Sequence, residues 1–363
     1  MKKTKVFVIF GGKSGEHEVS IKSARSVVAA MDKTKYEVIP LGIGKNGTWL
    51  RGSEAQKVLA TRNKLDKGET IEALPPAATS QELAKLIKNE ITPPVVFPVL
   101  HGPYGEDGTI QGMLEMMNVP YVGSGVLGSA LGMDKVLQKQ VFLQYNLPVV
   151  PFVWFLRNEW ERDRKGILKK ISLMSKSFPY FVKPANLGSS VGISKAHNAK
   201  ELIKAIHFAG EYDRKIVVEK GVEGVREMEV SVLGNDTPKA SVPGEIAPAN
   251  EFYDYDAKYI NENSKLMIPA NIPLKTQKTI QAIAVSAFKA LDCAGFSRVD
   301  FFLTKKTGQI WLNELNTIPG FTSSSMYPKL WEATGVSYVK LVDTLIQLGI
   351  QRWKEKQKLA TSL

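Results

Sequence analysis

Residues 295–326, GFSRVDFFLTKKTGQIWLNELNTIPGFTSSSM, decide how the rest of the chain is read. Two apolar runs, VDFFL and QIWLNEL, flank the polar turn 304–309 and predict a β-hairpin. Asp300 lies on the first strand and Glu314 on the second, each at the edge of an apolar run. Side chains alternate between the faces of a strand, so Asn316 shares a face with Glu314, and Arg298 with Asp300. Two carboxylates and an amide oxygen converging from a strand pair form the all-oxygen site that magnesium prefers, above all where it bridges phosphates. Residues 319–325 add hydroxyls and backbone N–H groups close by. The same stretch also reads as a surface hairpin with solvated charges, and the remainder of the chain must separate the two.

At 363 residues the chain has room for two or three domains and a sizeable core. It holds no apolar run of membrane-spanning length. The start, MKKTKVFVIF, is basic like a signal peptide, but its apolar run is only VFVIF and Gly-Gly-Lys follows, which predicts a first strand. A single cysteine, Cys293, excludes an internal disulfide framework and fits a cytoplasmic location. His17, His101, His197 and His207 show no zinc-site spacing. The net charge of +12, from 48 basic against 36 acidic residues, raises nucleic-acid binding. The lysines are dispersed, however, and no zinc-finger or RNA-recognition motif appears; an anionic small substrate explains the same excess.

The order of elements predicts a βαβ opening: a buried parallel strand at 5–10, a glycine turn, a helix at 19–31 and a strand at 36–43. Residues 52–82 read as polar and loop-rich, 81–89 as helical and 95–100 as another buried strand. A helix starts near Thr109, and the small-residue stretch 123–132 reads as a boundary. Beyond it the pattern predicts helices at 133–145, 167–174 and 199–208, with strands at 151–155, 180–182, 192–195 and 215–219. Strands at 228–233 and 239–244 follow. The polar, aromatic loop 247–263 is long enough to be a functional lid. An amphipathic helix at 274–291, the hairpin and a terminal helix at 339–351 complete the chain, with no internal repeat.

Four motifs carry chemistry. GGKSGEHEVS, after a strand and opening a helix, offers backbone N–H groups to an anion, though it is neither a Walker motif nor Gly-x-Gly-x-x-Gly. Its Glu16 suits a substrate ammonium or, equally, a helix cap. HGPYGEDG repeats the design; His101 either orients Glu16 or the substrate, or is structural. KPANLGSSVGISKA places Lys183 at a strand end before a glycine–serine loop, which suits a flap over phosphates with Ser189 and Ser190 as donors, or an ordinary hairpin turn. VVEKGV offers extended backbone and Glu219 to an adenine, and Glu227 or Glu229 to ribose hydroxyls, although edge strands often look like this. FYDYDAKY reads as part of the lid, a partner contact or an aromatic patch.

Together, in this order, GGKSGEHEVS, HGPYGEDGTIQG, MDK, KPANLGSSVGISK, EFYDYDAKY, RVDFF and NELNTIPGFTSSSMYP closely resemble the D-alanine–D-alanine ligases, bacterial enzymes of the ATP-grasp superfamily. The resemblance spans nearly the whole chain. It implies an α/β, partly α+β, ATP-grasp fold: a Rossmann-like parallel-sheet domain followed by two α+β domains that sandwich ATP. The implied domains are a substrate-binding domain at 1–123, a central subdomain with the phosphate flap at 124–218, and a C-terminal subdomain with lid and metal site at 219–363. The implied activity is that of an acid–amino-acid ligase in peptidoglycan synthesis. ATP phosphorylates one D-alanine, and the amine of a second attacks the acyl phosphate.

The resemblance also implies residue roles. Lys135, Lys183 and Lys258 would contact ATP phosphates, with Ser190 in the flap. Glu219, Lys220 and the Val222 backbone would bind adenine, and Glu227 ribose, with Glu229 the fallback. Asp300, Glu314 and Asn316 would hold two magnesium or manganese ions. Glu16 would bind the first D-alanine's ammonium with His101 nearby. Arg298 and the Gly320 backbone would form the oxyanion site. Ser325, by its hydroxyl, and Met326, by its backbone, would bind the second D-alanine's carboxylate. Ser189, Tyr259 and Glu227 would link flap and lid. In this family, tyrosine at position 259 accompanies D-alanine as second substrate, and its absence accompanies D-lactate. By analogy alone, potassium or another monovalent cation and a homodimer through the N-terminal domain follow. Two rivals stand beside this reading: a D-alanine–D-lactate ligase, and a basic nucleic-acid-binding protein with a non-catalytic ATP-binding fold. Neither nucleic acid nor membrane is an expected partner.

Overall fold

The computed structural model describes residues 3–60, 93–247 and 265–360. The expected helix at 81–89 and nearly all of the lid, with Lys258 and Tyr259, lie outside the described residues. Among the described residues no helix is long and apolar enough to cross a membrane.

The first sheet has the order β3-β2-β1-β4. Strands β1 (Thr4–Gly11), β2 (Tyr36–Ile43) and β4 (Val95–Leu100) are parallel, and the short β3 (Trp49–Leu50) is antiparallel to β2. Val6 to Phe10 are all fully buried. The sheet is covered on both faces, so its central strand reads as an unbroken apolar run. Helix α1 (His17–Ala30) covers one face through Ile21, Ala24 and Val27. Helix α3 (Thr109–Met116) covers the other through Ile110 and Leu114. Helix α2 (Gly52–Ala60) occupies part of the stretch expected to be loop and buries only Ala55 and Val58, which explains its weak apolar signal.

A second sheet follows the helices α4 (Val126–Met133) and α5 (Lys135–Gln144). The expectation of a boundary at 123–132 followed by one helix is corrected: two helices meet at Asp134. Asp134 is extended, and its carboxylate accepts from the N–H groups of Val136 and Leu137 at 3.0 and 3.1 Å. An aspartate N-cap starts α5 there and sets Lys135 at its first position. The sheet itself, β5-β8-β6-β7, is antiparallel. Its strands are β5 (Phe152–Leu156), β6 (Tyr180–Pro184), β7 (Ser194–Ala196) and β8 (Lys215–Lys220). Helices α6 (Arg157–Arg162), α7 (Arg164–Met174) and α8 (Ala199–Tyr212) pack on it around Trp160, Ile171, Val182 and Ile206.

The third sheet runs β12-β11-β9-β13-β14, with β10 against β9. Its strands are β9 (Val225–Gly234), β10 (Lys239–Ala240), β11 (Gly244–Ala247), β12 (Lys265–Met267), β13 (Gly295–Thr304) and β14 (Ile310–Asn316). The single strand expected at 239–244 is thus two short ones. Met228, Val230, Val299, Phe301 and Leu315 face a core shared with α9 (Leu274–Ala290). Strict alternation then turns Glu227, Glu229, Arg298 and Asp300 to the opposite face. A register shift after Asp300 sets Asp300 directly opposite Glu314 and adds Asn313 as the extra residue.

Two closing helices, α10 (Met326–Ala333) and α11 (Tyr338–Lys356), return to the first sheet. The sequence reading omitted α10. Pro328 falls in its first turn, where a missing N–H costs nothing. Phe321 joins the first and third sheets, its ring 6.3 Å from that of Phe97 and 5.8 Å from that of Phe296.

Candidate active site

The floor of the site is the polar face of β9, β13 and β14. Arg298 forks the Asp300 carboxylate with two bonds of 2.7 Å and reaches Glu229 at 3.1 Å. Burial opposes the charge on Arg298, but Asp300 and Glu229 outweigh it and hold the guanidinium well above its usual range. Asn316 Nδ2 lies 3.4 Å from Asp300, and Glu314 lies 3.7 Å from the Lys135 ammonium. Among the described residues no three His, Cys, Asp or Glu side chains form a metal cluster. The donors offered here are two facing carboxylates and the Asn316 amide. That hard oxygen set fits magnesium or manganese.

Above the floor stand Lys135 and Lys183. Lys135 donates to the Leu187 carbonyl at 2.6 Å and so ties α5 to the glycine–serine loop. Lys183, buried at the end of β6, lies 2.9 Å from Glu219 and 3.5 Å from Asn313 Oδ1. The Glu219 carboxylate, expected to accept from an adenine amine, is instead buried between two lysines; its other oxygen lies 3.1 Å from Lys139. Lys220 ends β8 exposed, with Val222 half-buried beyond it. Of the two ribose candidates, Glu229 is engaged by Arg298.

The loop 186–193 is anchored where Asn186 donates twice to Asp213, each at 2.8 Å. Ser189 and Ser190 take left-handed backbone angles, φ 50° and 60°. Non-glycine residues rarely adopt these, and they cluster at functional sites. The Ser189 hydroxyl donates to the Glu16 carboxylate. Glu16 is buried, and its side chain caps no helix N–H, so the capping alternative falls away. A Cβ added at either Gly102 or Gly188 would come within 2.8 Å of Glu16 Oε2. Both glycines therefore make room for that carboxylate.

His101 is buried behind Glu16, with Nδ1 3.0 Å from the Ile318 carbonyl and Nε2 3.2 Å from the Ser23 hydroxyl. Burial disfavours its charge, yet Glu106, at 3.7 Å, and Glu16 hold its pKa above the usual value. Burial holds the Glu106 carboxyl above its own usual range. On the far side, Ser325 accepts from the Thr322 N–H at 3.0 Å, and a Cβ at Gly320 would lie 3.2 Å from the Ser325 hydroxyl. Met326 opens α10 beside it.

The fold thus gathers Glu16, His101 and Ser189 on one wall, Arg298, Asp300, Glu314 and Asn316 on the floor, and Lys135 and Lys183 above. Sequence reasoning missed Glu106 and Lys139. The signal for Lys139 was present, since it follows Lys135 by four residues and shares its helix face.

Two family descriptions match the chain: D-ala D-ala ligase N-terminus over residues 5–124, and D-ala D-ala ligase C-terminus over residues 141–347. The D-alanine–D-alanine ligase of Heliobacterium modesticaldum is 51% identical, covering 99% of this chain and 98% of its own. That of Natranaerobius thermophilus is 50% identical and covers 99% of each. Among solved structures, the D-alanine–D-alanine ligase of Coxiella burnetii superposes with a TM-score of 0.80 at 36% identity, over 98% of both chains. The VanG D-Ala:D-Ser ligase of Enterococcus faecalis gives 0.81 at 39% identity, over 96% of this chain and 100% of that one. Full-length relatives and both halves of the family pattern agree with the geometry, and the chain belongs to the D-alanine–D-alanine ligase family.

Proposed function

We propose that this chain joins two D-alanines at the expense of ATP, releasing D-alanyl-D-alanine, ADP and phosphate for peptidoglycan synthesis. The observation that carries the reading is the enclosed Glu16 carboxylate, held by Ser189 and bordered by two glycines, together with the floor that holds Arg298 on Asp300. A carboxylate acylates poorly, so it is first phosphorylated. Positioning and charge compensation do most of that work. Lys135, Lys183 and Lys258 neutralise the phosphates, with Ser190 in the covering loop. Asp300, Glu314 and Asn316 would hold two magnesium or manganese ions, which when bound offset charge on the transferring phosphoryl group. Lys220 and the Val222 backbone receive adenine, and Glu227 the ribose.

Glu16 holds the first D-alanine's ammonium, and His101 supports the turn beside it. The second D-alanine's carboxylate rests on Ser325 and the Met326 backbone. When its amine attacks the acyl phosphate, Arg298 and the Gly320 N–H stabilise the oxyanion. The lid, with Tyr259, excludes water, which would hydrolyse the intermediate.

We place the domain divisions at 123/124 and 218/219. A homodimer through the N-terminal domain has the exposed Met116 and Tyr104 as candidate contact residues, and sedimentation tests it. A cytoplasmic location is proposed on the single cysteine. Potassium titration of activity tests a monovalent-cation requirement.

Product analysis by mass, with D-alanine alone and with added D-lactate or D-serine, tests the function. Alanyl-alanine is expected to dominate at neutral pH. Predominant depsipeptide or alanyl-serine would overturn the choice of second substrate. DNA binding at physiological salt without ADP formation would overturn the enzyme reading.

A further inference from the structure

Lys139 is 1% exposed and lies one helical turn beyond Lys135 on α5. Its ammonium donates to the Asn313 carbonyl at 2.9 Å and sits 3.1 Å from one oxygen of Glu219. The other Glu219 oxygen is 2.9 Å from Lys183. Glu219 itself is 2% exposed, so this is a buried row of cation, anion, cation.

Charge arithmetic gives the row its meaning. With Lys183 as its only partner, Glu219 would form a neutral pair. An arriving phosphate would then meet an ammonium whose field was largely cancelled at short range. A second cation on the far side balances the carboxylate and leaves the row one positive charge in excess. Burial lowers the Lys139 pKa below its usual value, and Glu219 at 3.1 Å opposes that shift. Burial alone would raise the Glu219 pKa, but Lys139 and then Lys183 outweigh it and hold the carboxylate ionised.

We infer that Lys139 is a positioning residue for the nucleotide: it neutralises Glu219 from behind, so that Lys183 presents a net positive charge to the ATP phosphates. This rests on the reading that Lys183 faces those phosphates.

The test compares calorimetric affinities for ATP and for adenosine, which lacks phosphates, in the absence of D-alanine. Lys139→Met is expected to weaken ATP relative to adenosine by roughly tenfold, as loss of one nearby charge in a partly buried site predicts. Lys139→Arg should keep the wild-type ratio. The double variant Lys139→Met/Glu219→Gln removes both charges and should restore the ratio to within about threefold of wild type. It also removes the uncompensated buried carboxylate, so it serves where the single variant fails to fold.

Equal weakening of ATP and adenosine in Lys139→Met would overturn the inference, as would a double variant that discriminates no better than Lys183→Met. If Lys183→Met itself keeps the wild-type ratio, the phosphate reading of Lys183 falls and the inference falls with it. A lowered ratio in Lys183→Met beside an unchanged one in Lys139→Met overturns the inference alone.

Discussion

The floor of the site and the loop above it are built on opposite principles. The floor is three paired strands over a closed apolar core, with Arg298, Asp300 and Glu229 locked by paired charges. The loop 186–193 carries two serines in left-handed backbone and is tied to the remainder by polar bonds from Ser189, Lys135 and the two-bond Asn186 anchor. Preorganised charge belongs on a rigid support, because catalysis by electrostatics loses its advantage if the groups must reorganise. A covering loop must open for substrate, so its bonds are few and polar. The two regions differ because one fixes charge and the other admits and encloses substrate.

The largest expected effect breaks the floor. Asp300→Ala removes the partner of Arg298 and a proposed metal donor, and turnover should fall at least about a thousandfold, measured by ADP release. Activity within tenfold of wild type would show that the floor is not where charge is managed.

Next comes the core beneath it. Phe321 is 1% exposed and packs against Phe97, Phe296 and Tyr327. Phe321→Ala should cost about 3–5 kcal/mol in denaturant unfolding. A loss under about 1 kcal/mol would mean the first and third sheets do not share one core.

The loop should be more forgiving. Ser189→Ala removes its bond to Glu16, and kcat/KM for D-alanine should fall by roughly tenfold because the carboxylate loses the group that orients it, with a stability loss of no more than about 1.5–3 kcal/mol, the worth of a hydrogen bond to a charged group. A loss as large as that of Asp300→Ala would erase the distinction between floor and loop.

The smallest effect concerns the turn behind Glu16. His101 has a raised pKa in the fold, so its stabilising contribution is fully present below the ordinary value of 6.5 and is lost as pH rises through the higher folded value. Thermal unfolding of His101→Gln should therefore show a flatter decline over that window, and an unaltered profile would remove His101 from the pH response.

Much of this division was legible in the sequence. The strand at 95–100 is buried throughout and matches its apolar run to the residue, because a strand covered on both faces cannot tolerate polar interruption. The strand at 36–43 also matches, although it carries the exposed Glu37. The hairpin's acidic positions were readable from alternation. Alternation assigns a face but not a partner, so it did not reveal that Glu219 turns to Lys139 and Lys183, contributed by other elements. Nor did it show the register shift that sets Asp300 against Glu314. Helix α4 was hidden by its small residues, two of which, Gly128 and Ser129, are buried as a glycine-rich linker would not require. Ser189 and Ser190 were recognised as donors, but their backbone conformation had no sequence signal, since such angles are ordinarily left to glycine.

The central claim is that this floor and loop carry a carboxylate through an acyl phosphate. It is tested most directly with D-alanine labelled by ¹⁸O in both carboxylate oxygens. If the labelled carboxylate attacks the γ-phosphorus of ATP and the second amine then displaces phosphate from carbon, one labelled oxygen leaves in each phosphate and one stays in the new amide. Mass analysis of the released phosphate should find a single ¹⁸O per turnover. Phosphate that carries no label while alanyl-alanine forms would contradict the account.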